Sequence, residues 1–182
     1  MTTFTIPTLE TERLVLRAPC ESDFEAEVAF FATDASRFVG GPKKPHETWR
    51  LMATIIGHWA LRGYGFWGLE SKDTGAYLGR VGLWFPHGWL EREIGWTLMP
   101  TSTGHGYATE AALAARGYAY DTLGWDTAIS QIDPVNEASK AVARRLGSSF
   151  EQMYNDPEYG DIEVWRHLSP TDLSQGGMEA YA

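Results

Sequence analysis

A glycine-rich turn near the middle of the chain is the clearest sign of chemistry in the sequence. Gly104 and Gly106 lie between a predicted strand over residues 91–99 and a predicted helix that opens at Tyr107. A helix N-terminus presents free backbone N–H groups and the positive end of the helix dipole, and both favour an anion. Because glycine has no side chain, an anion's oxygens can approach those N–H groups closely. Residues 102–108 therefore predict a phosphate-binding turn.

Two common phosphate-binding motifs do not fit this turn. A dinucleotide-binding fingerprint needs a third glycine where Thr109 stands, although Asp133 could imitate its ribose-binding acid. That fold also opens with a parallel β-α-β unit near its start, whereas here the turn follows a series of hairpins. A P-loop needs Gly-Lys-Ser/Thr after the turn, and none follows. Glycine pairs of this kind also occur as plain helix starts, so the surrounding elements must be considered.

Hydrophobic periodicity and turn residues predict the elements that hold the turn. Strands are predicted over residues 13–17, 66–70, 76–85, 91–99, 126–133, 148–153 and 161–168, and helices over 22–33, 47–62, 107–121 and 136–146. Short connections between the strands from 66 to 99 indicate antiparallel hairpins. We expect a single domain over residues 1–168, followed by a flexible C-terminal tail over 169–182.

Composition narrows the class of protein. The chain has 182 residues, is 43% hydrophobic and carries a net charge of −9, which indicates a globular protein and argues against a nucleic-acid surface. A single cysteine, Cys20, excludes an internal disulfide framework and favours the cytoplasm. No apolar run is long enough to span a bilayer, and the five histidines lack metal-binding spacing, so we expect no membrane contact and no metal.

Three segments together carry a family resemblance. Residues 9–17 resemble the first strand of the GNAT acyl-CoA N-acyltransferases, in particular the RimJ/RimL-like branch that acts on ribosomal-protein N-termini. Residues 93–111, which include Glu93-Ile94-Gly95-Trp96 and the glycine turn, resemble the central cofactor motif of that branch. Residues 136–147 are similar to its next helix. The resemblance covers residues 9–168 and has its three motifs in the right order.

The resemblance implies a mixed α/β (α+β) fold. Its central sheet would have about seven mostly antiparallel strands, flanked by about four helices and splayed at a central parallel pair. It also implies acetyl-CoA as cosubstrate, whose pyrophosphate suits the glycine turn and whose pantetheine arm can pair with the splayed strand edges. A homodimer is a further implication. The residues expected to bind acetyl-CoA are Leu98, Met99, Thr103, Gly104, His105, Gly106, Tyr107, Ala108, Thr109, Asn136 and Ser139.

Three positions depart from the family pattern. The family often has Gln or Arg where Thr101 stands and Lys or Arg where His105 stands, so backbone N–H groups must do more of the phosphate binding. Many members also carry a Tyr at the position of Ala143, where it protonates the departing thiolate. With that Tyr absent, Ser139 is the remaining candidate for the role. Its alternative role is a hydrogen bond to a helix carbonyl one turn back.

The family chemistry is direct attack of a primary amine on the acetyl carbonyl, without an acyl-enzyme. The amine must first be neutral, and a carboxylate on the central strand can accept its proton. Glu93 is the first candidate for this base, with Glu70 and Glu110 behind it, and the alternative for Glu93 is a surface carboxylate at a strand start. A backbone N–H near Leu98 would polarise the carbonyl.

The sequence leaves two questions open. Because Ala143 and His105 depart from the pattern, a non-catalytic acyl-CoA sensor is an alternative to an N-acetyltransferase. The acceptor could be a protein N-terminus or a small-molecule amine, and residues 34–47 and 84–89 are expected to line its site. Asn136 could bond a pantetheine amide or simply cap its helix.

Overall fold

The computed structural model describes residues 4–157 and 159–176, and one eight-stranded sheet organises them. The strands are β1 (Leu9–Glu10), β2 (Leu14–Arg17), β3 (Phe66–Ser71), β4 (Tyr77–Trp84), β5 (Glu93–Leu98), β6 (Ile129–Ile132), β7 (Ser149–Asp156) and β8 (Gly160–Arg166). Their order in the sheet is β1-β2-β3-β4-β5-β6-β8-β7. All neighbours are antiparallel except β5 and β6, which run parallel at the centre.

This architecture confirms the predicted fold class. The strand missing from the predicted seven is β1, whose two residues pair with β2 and are too few to show a periodic pattern. Strand β6 is shorter than the predicted 126–133, because its regular pairing covers only Ile129–Ile132.

Five helices flank the sheet in the described part of the chain: α1 (Phe24–Phe31), α2 (Pro45–Arg62), α3 (Tyr107–Gly117), α4 (Glu137–Arg145) and α5 (Pro170–Ser174). Four of them correspond to predicted helices. Helix α5 lies in the segment predicted to be a flexible tail, and its N-cap is Ser169, which forms a capping box with Asp172. Residues 177–182 of that predicted tail lie outside the described residues.

Helix α3 packs closely on the middle of the sheet because its inner face is made of small residues. It contacts β4 and β5 through buried alanines, which are Ala108, Ala111, Ala112 and Ala115. The predicted helix continued to Asp121, and the chain does stay helical, but over Tyr118–Thr122 it is a π-helix. The close packing fixes the glycine turn at the N-terminus of α3 against the central strands.

Candidate active site

The central parallel pair separates after a single pairing. Glu93 on β5 lies opposite Ile129 on β6, and the Ile129 N–H donates to the Arg92 carbonyl at 2.9 Å. In a regular parallel ladder the next hydrogen bond would run from the Gln131 N–H to the Ile94 carbonyl. That bond is absent, and side chains pair instead with its donor, the Gln131 N–H, and with its acceptor, the Ile94 carbonyl.

Glu93 accepts the backbone N–H that the missing bond would have used. Its Oε1 accepts the Gln131 backbone N–H at 3.1 Å, while its Oε2 accepts the Gln131 Nε2 at 3.2 Å and the Trp89 Nε1 at 2.6 Å. Glu93 is 8% exposed, so the alternative of a surface carboxylate does not hold. A carboxylate has about four lone-pair sites, and three donors leave one of them for a proton.

The burial of Glu93 changes its acidity. Loss of solvation raises the pKa of this carboxyl to about 7, although hydrogen bonds from Gln131 and Trp89 favour the charged form. A group with such a pKa exchanges protons readily at neutral pH, as a general base must. Glu93 is therefore chemically suited to the role that the sequence suggested for it.

Ser130 donates to the carbonyl that the missing bond would have used. Its hydroxyl donates to the Ile94 carbonyl at 2.6 Å, so its oxygen accepts the Nε2–H of His167 at 2.9 Å. The Nδ1 of His167 then accepts the Ser148 hydroxyl at 3.0 Å. Burial lowers the pKa of His167 to about 3, which keeps the ring neutral. No motif in the sequence predicted this buried hydrogen-bonded cluster. It connects Ser130 on β6 with Ser148 before β7 and His167 after β8.

A cavity of about 550 Å³ opens at this gap. Glu93, Asn136 and Ser139 all line it, so three predicted site residues meet at one place. The two segments expected to line the acceptor site also border it, through Arg37, Phe38, Val39 and Gly40 of one and Trp84, Pro86, His87 and Trp89 of the other.

Strand β5 turns part of its backbone toward the gap. The Met99 N–H donates to the Leu78 carbonyl at 2.9 Å, and the adjacent pair Leu98–Gly79 is therefore of the type that does not bond across β4 and β5. The Leu98 N–H consequently points away from β4, toward β6. The side chain of Met99 is buried with Phe30 and Phe31.

The start of α4 brings two predicted residues to the cavity wall. The Asn136 Oδ1 caps the helix by accepting the Ser139 N–H at 3.1 Å, as one of its two predicted roles required. The Ser139 Oγ accepts the Trp96 Nε1 at 3.3 Å. Since the serine oxygen is the acceptor in that bond, its own proton remains available to a group in the cavity. Ala143 is buried behind them.

The glycine turn has the geometry of an anion site. Gly104 and Gly106 have φ angles of 81° and 82°, a region that favours glycine, and a Cβ at Gly104 would meet no atom within 4 Å. The Oγ1 of Thr109, in the first turn of α3, is buried without a hydrogen-bond partner among the described residues. The other predicted residues of the turn are Thr103 and His105, which are exposed, Tyr107, which is half-buried, and Ala108, which is buried.

Arg13 is a residue of this turn that sequence reasoning missed. Its Nη1 donates to the His105 carbonyl at 2.9 Å, its guanidinium lies 4.8 Å from the Tyr107 ring centroid, and its Nη2 would be 3.4 Å from a Cβ at Gly106. A cation therefore stands beside the turn despite the two departures at positions 101 and 105. Glu110 shares that charge through an ion pair of 2.7 Å with Arg13. The 9–17 motif contains Arg13, but the sequence alone did not show that the Arg13 side chain reaches the glycine turn.

The two weaker candidates for the base lie elsewhere. Neither Glu70 nor Glu110 borders the cavity, and Glu70 pairs with Arg17 at 2.7 Å. Burial alone would raise the pKa of Glu110, but hydrogen bonds from Thr11 and Arg13 together hold it below its usual value. Both carboxylates are thus engaged in ion pairs away from the gap.

The described residues contain no cluster of three or more His, Cys, Asp or Glu side chains placed to hold a metal ion. Within the same part of the chain, no helix combines the length and apolar character needed to cross a membrane.

Comparisons with known proteins agree with this geometry. The chain matches the model of the acetyltransferase (GNAT) domain family over residues 13–149. The crystal structure of an acetyltransferase from Agrobacterium tumefaciens is 36% identical, superimposes with a TM-score of 0.84, and is matched over 93% of this chain and 98% of that one. YoaA of Bacillus subtilis, described as an uncharacterized N-acetyltransferase, is 26% identical over 91% of this chain and 99% of its own length.

A more distant structure shares the fold. RimL, a ribosomal L7/L12 α-N-protein acetyltransferase solved in complex with coenzyme A, is 20% identical with a TM-score of 0.71, over 91% of this chain and all of that one (100%). The family match spans most of the sequence, including the glycine turn and the split strand pair. This chain belongs to the GNAT acetyltransferase family.

Proposed function

We propose that the protein moves an acetyl group from acetyl-CoA to a primary amine by direct attack, without an acyl-enzyme. The observation that carries this proposal is Glu93, a buried carboxyl with a pKa of about 7 that lines the cavity at the strand gap. An acyl-CoA sensor would have no use for a base at that position.

The proton transfers follow from the two side chains at the gap. Glu93 accepts a proton from the attacking amine, directly or through water, as the C–N bond forms. The C–S bond breaks, and the Ser139 hydroxyl gives its proton to the departing thiolate and regains one from solvent. The Leu98 N–H, which points toward the gap, stabilises the negative charge that develops on the carbonyl oxygen.

The acetyl donor has groups to hold it along the same gap. The N–H groups of residues 103–109 and the Arg13 guanidinium serve its phosphates, and the unpartnered Thr109 Oγ1 offers a further hydrogen bond. The Asn136 amide serves the pantetheine arm. When bound, acetyl-CoA supplies the thioester that the amine attacks.

Gln131 offers the amine a second hydrogen-bond acceptor besides Glu93. The Oε1 of Gln131 is buried without a hydrogen-bond partner among the described residues, and the Nε2 of the same amide binds Glu93. A buried acceptor that lacks a donor costs free energy, and a primary amine brings N–H groups that can satisfy it. Two classes of acetyl acceptor carry such an amine, a protein N-terminus, as in the RimJ/RimL-like branch, and a small molecule.

Steady-state release of the coenzyme A thiol tests this function. We expect wild-type turnover with a primary amine, and a loss on the order of 10²-fold or more in Glu93→Gln with coenzyme A affinity retained. Glu25→Gln, an exposed carboxylate on α1, is the matched control and should not change turnover. Coenzyme A binding without turnover of any amine in the wild type would favour the sensor, and an unaltered Glu93→Gln would refute the base.

A further inference from the structure

The cavity has two chemically different ends. One end, beside Asn136 and Ser139, is the part that we assign to acetyl-CoA. The walls of the other end come from α2, the loops that follow α1 and β4, and the connection between β7 and β8. Five aromatic side chains line it, with aliphatic ones such as Val39, Leu51 and Ile55 among them, and the aromatic ones are Phe38, Phe66, Trp84, Trp89 and Tyr159. Aromatic walls of this kind favour a flat apolar body.

Part of this wall is rigid. The Trp84 ring stacks on His58, with ring centroids 4.3 Å apart and planes inclined by 21°. His58 is itself held at both nitrogens, because its Nε2 accepts the Phe85 N–H at 3.1 Å and its Nδ1 donates to the Tyr64 carbonyl at 2.7 Å. A ring fixed in this way loses little freedom when a ligand packs against it.

Tyr159 borders the same end, and its side chain is half exposed. Its ring lies 6.0 Å from that of Trp89, centroid to centroid, and its Cε1 would be 3.9 Å from a Cβ at Gly40. Three segments far apart in the chain therefore meet over the aromatic end. The cavity of about 550 Å³ is of the size that holds small molecules, commonly about 300–1,000 Å³.

The charges at this end fit a molecule with one amine. Among the described residues that line the cavity, Glu93 is the only buried carboxylate, while Asp133 and Asp161 are exposed. Arg37 brings a positive charge to the wall, and the charge of Arg80 is met by Glu27. A second ammonium of a polyamine would find no buried anion here, and its desolvation would cost free energy.

We infer that the acceptor is a small primary amine carried on an aromatic or similarly flat apolar body, an arylalkylamine. This inference deepens the proposed function and rests on it for the reaction. The amine reaches Glu93 and Gln131, while the body packs against the aromatic end beside Tyr159. A peptide N-terminus and a polyamine each lack part of what this end of the cavity offers.

The test compares three probes on the wild-type protein saturated with coenzyme A or acetyl-CoA. These are 2-phenylethylamine, spermidine and tri-alanine, measured by calorimetric binding and by thiol release. We expect kcat/KM and affinity for 2-phenylethylamine to exceed those for the other two by about tenfold or more. A preference for spermidine or tri-alanine would overturn the inference.

Two variants locate the binding site. Tyr159→Ala and Trp84→Leu should each weaken 2-phenylethylamine binding by about 3- to 10-fold, the scale of one lost aromatic contact. Trp49→Leu is the matched control, since Trp49 is 53% exposed on α2 and packs on Phe24 outside the cavity. Equal affinity in all three variants would contradict the assignment.

The two measurements separate the two proposals. If neither these probes nor any other primary amine is acetylated, the proposed function fails, while calorimetric binding of 2-phenylethylamine and its loss in Tyr159→Ala still decide the inference. If tri-alanine is acetylated and 2-phenylethylamine neither binds nor reacts, the function stands and the inference fails.

Discussion

The Gln131 backbone N–H donates to the Glu93 carboxylate at 3.1 Å, in the place where a regular ladder would use a carbonyl of β5. The side chain that we propose as the base is therefore also the group that stands between the two central strands. A proton on Glu93 would change a contact of the sheet itself. Chemistry and strand separation thus depend on one carboxyl group.

The Trp89 indole should set the pH dependence of the reaction. The pKa of Glu93 is about 7, and below that pH the carboxyl is protonated and cannot accept a proton. The value of kcat/KM should therefore fall by an additional factor of about ten per pH unit. Trp89→Phe removes an N–H that stabilises the carboxylate, so this breakpoint should move to higher pH by on the order of one unit. Rate profiles between pH 5.5 and 9, at roughly half-unit steps, measure it.

The control for this experiment is Trp84→Phe. Trp84 borders the same cavity but makes no hydrogen bond to Glu93 among the described contacts, so its breakpoint should stay at the wild-type pH. An equal shift in both variants would mean that Trp89 acts through cavity shape alone.

His167 should make the fold sensitive to acid. The pKa of His167 is lowered from 6.5 to about 3 by burial, so its stabilising contribution is complete above pH 6.5 and is lost as pH falls toward 3. The loss is about 1.4 kcal/mol per pH unit, or about 2 kcal/mol between pH 6.5 and 5. Urea unfolding measures the free energy of unfolding at about pH 7.5 and at about pH 5. Between these two conditions, His167→Gln should lose correspondingly less of this free energy than the wild type.

His46→Gln provides the comparison. His46 is exposed on α2, and its replacement should leave the wild-type pH dependence in place. A variant of His167 that keeps the full acid-induced loss would show that other groups cause it.

Gly106→Val should weaken coenzyme A binding by about tenfold or more. The φ angle of 82° strains any branched residue, and the new side chain would stand 3.4 Å from Arg13 at the phosphate turn. Gly124→Val is a matched control, because Gly124 has a φ of 66° and lies beyond α3, away from the turn. Each change should cost about 1–3 kcal/mol of stability, and calorimetry alongside circular dichroism should find lost affinity only at Gly106.

Local patterns were sufficient to predict most of the fold. Hydrophobic periodicity and turn residues predicted β4, β5 and α3, because these signals depend on neighbours within a few residues. The glycine turn was likewise visible, since Gly104 and Gly106 are adjacent to the helix that they precede. The family resemblance then implied the parallel pair at the centre of the sheet, which no local pattern reveals.

The missed parts of the site depend on contacts between distant residues. Glu93 could be identified as a candidate base, but its burial arises from Trp89 and from Gln131 on another strand. His167 joins Ser130 and Ser148, which are 37 and 19 residues away along the chain. No periodicity records such separations, and a pKa set by them is equally invisible.

Loops line much of the acceptor end of the cavity, whereas Glu93 stands on a strand of the central sheet. Loops tolerate substitution and changes of length far better than strands do. Evolution could therefore exchange Tyr159 or the segment around Gly40 and obtain a new acceptor while the proton-transfer groups stay unchanged. For protein engineering, the same separation marks the β7–β8 connection as the place to redirect this scaffold to other amines.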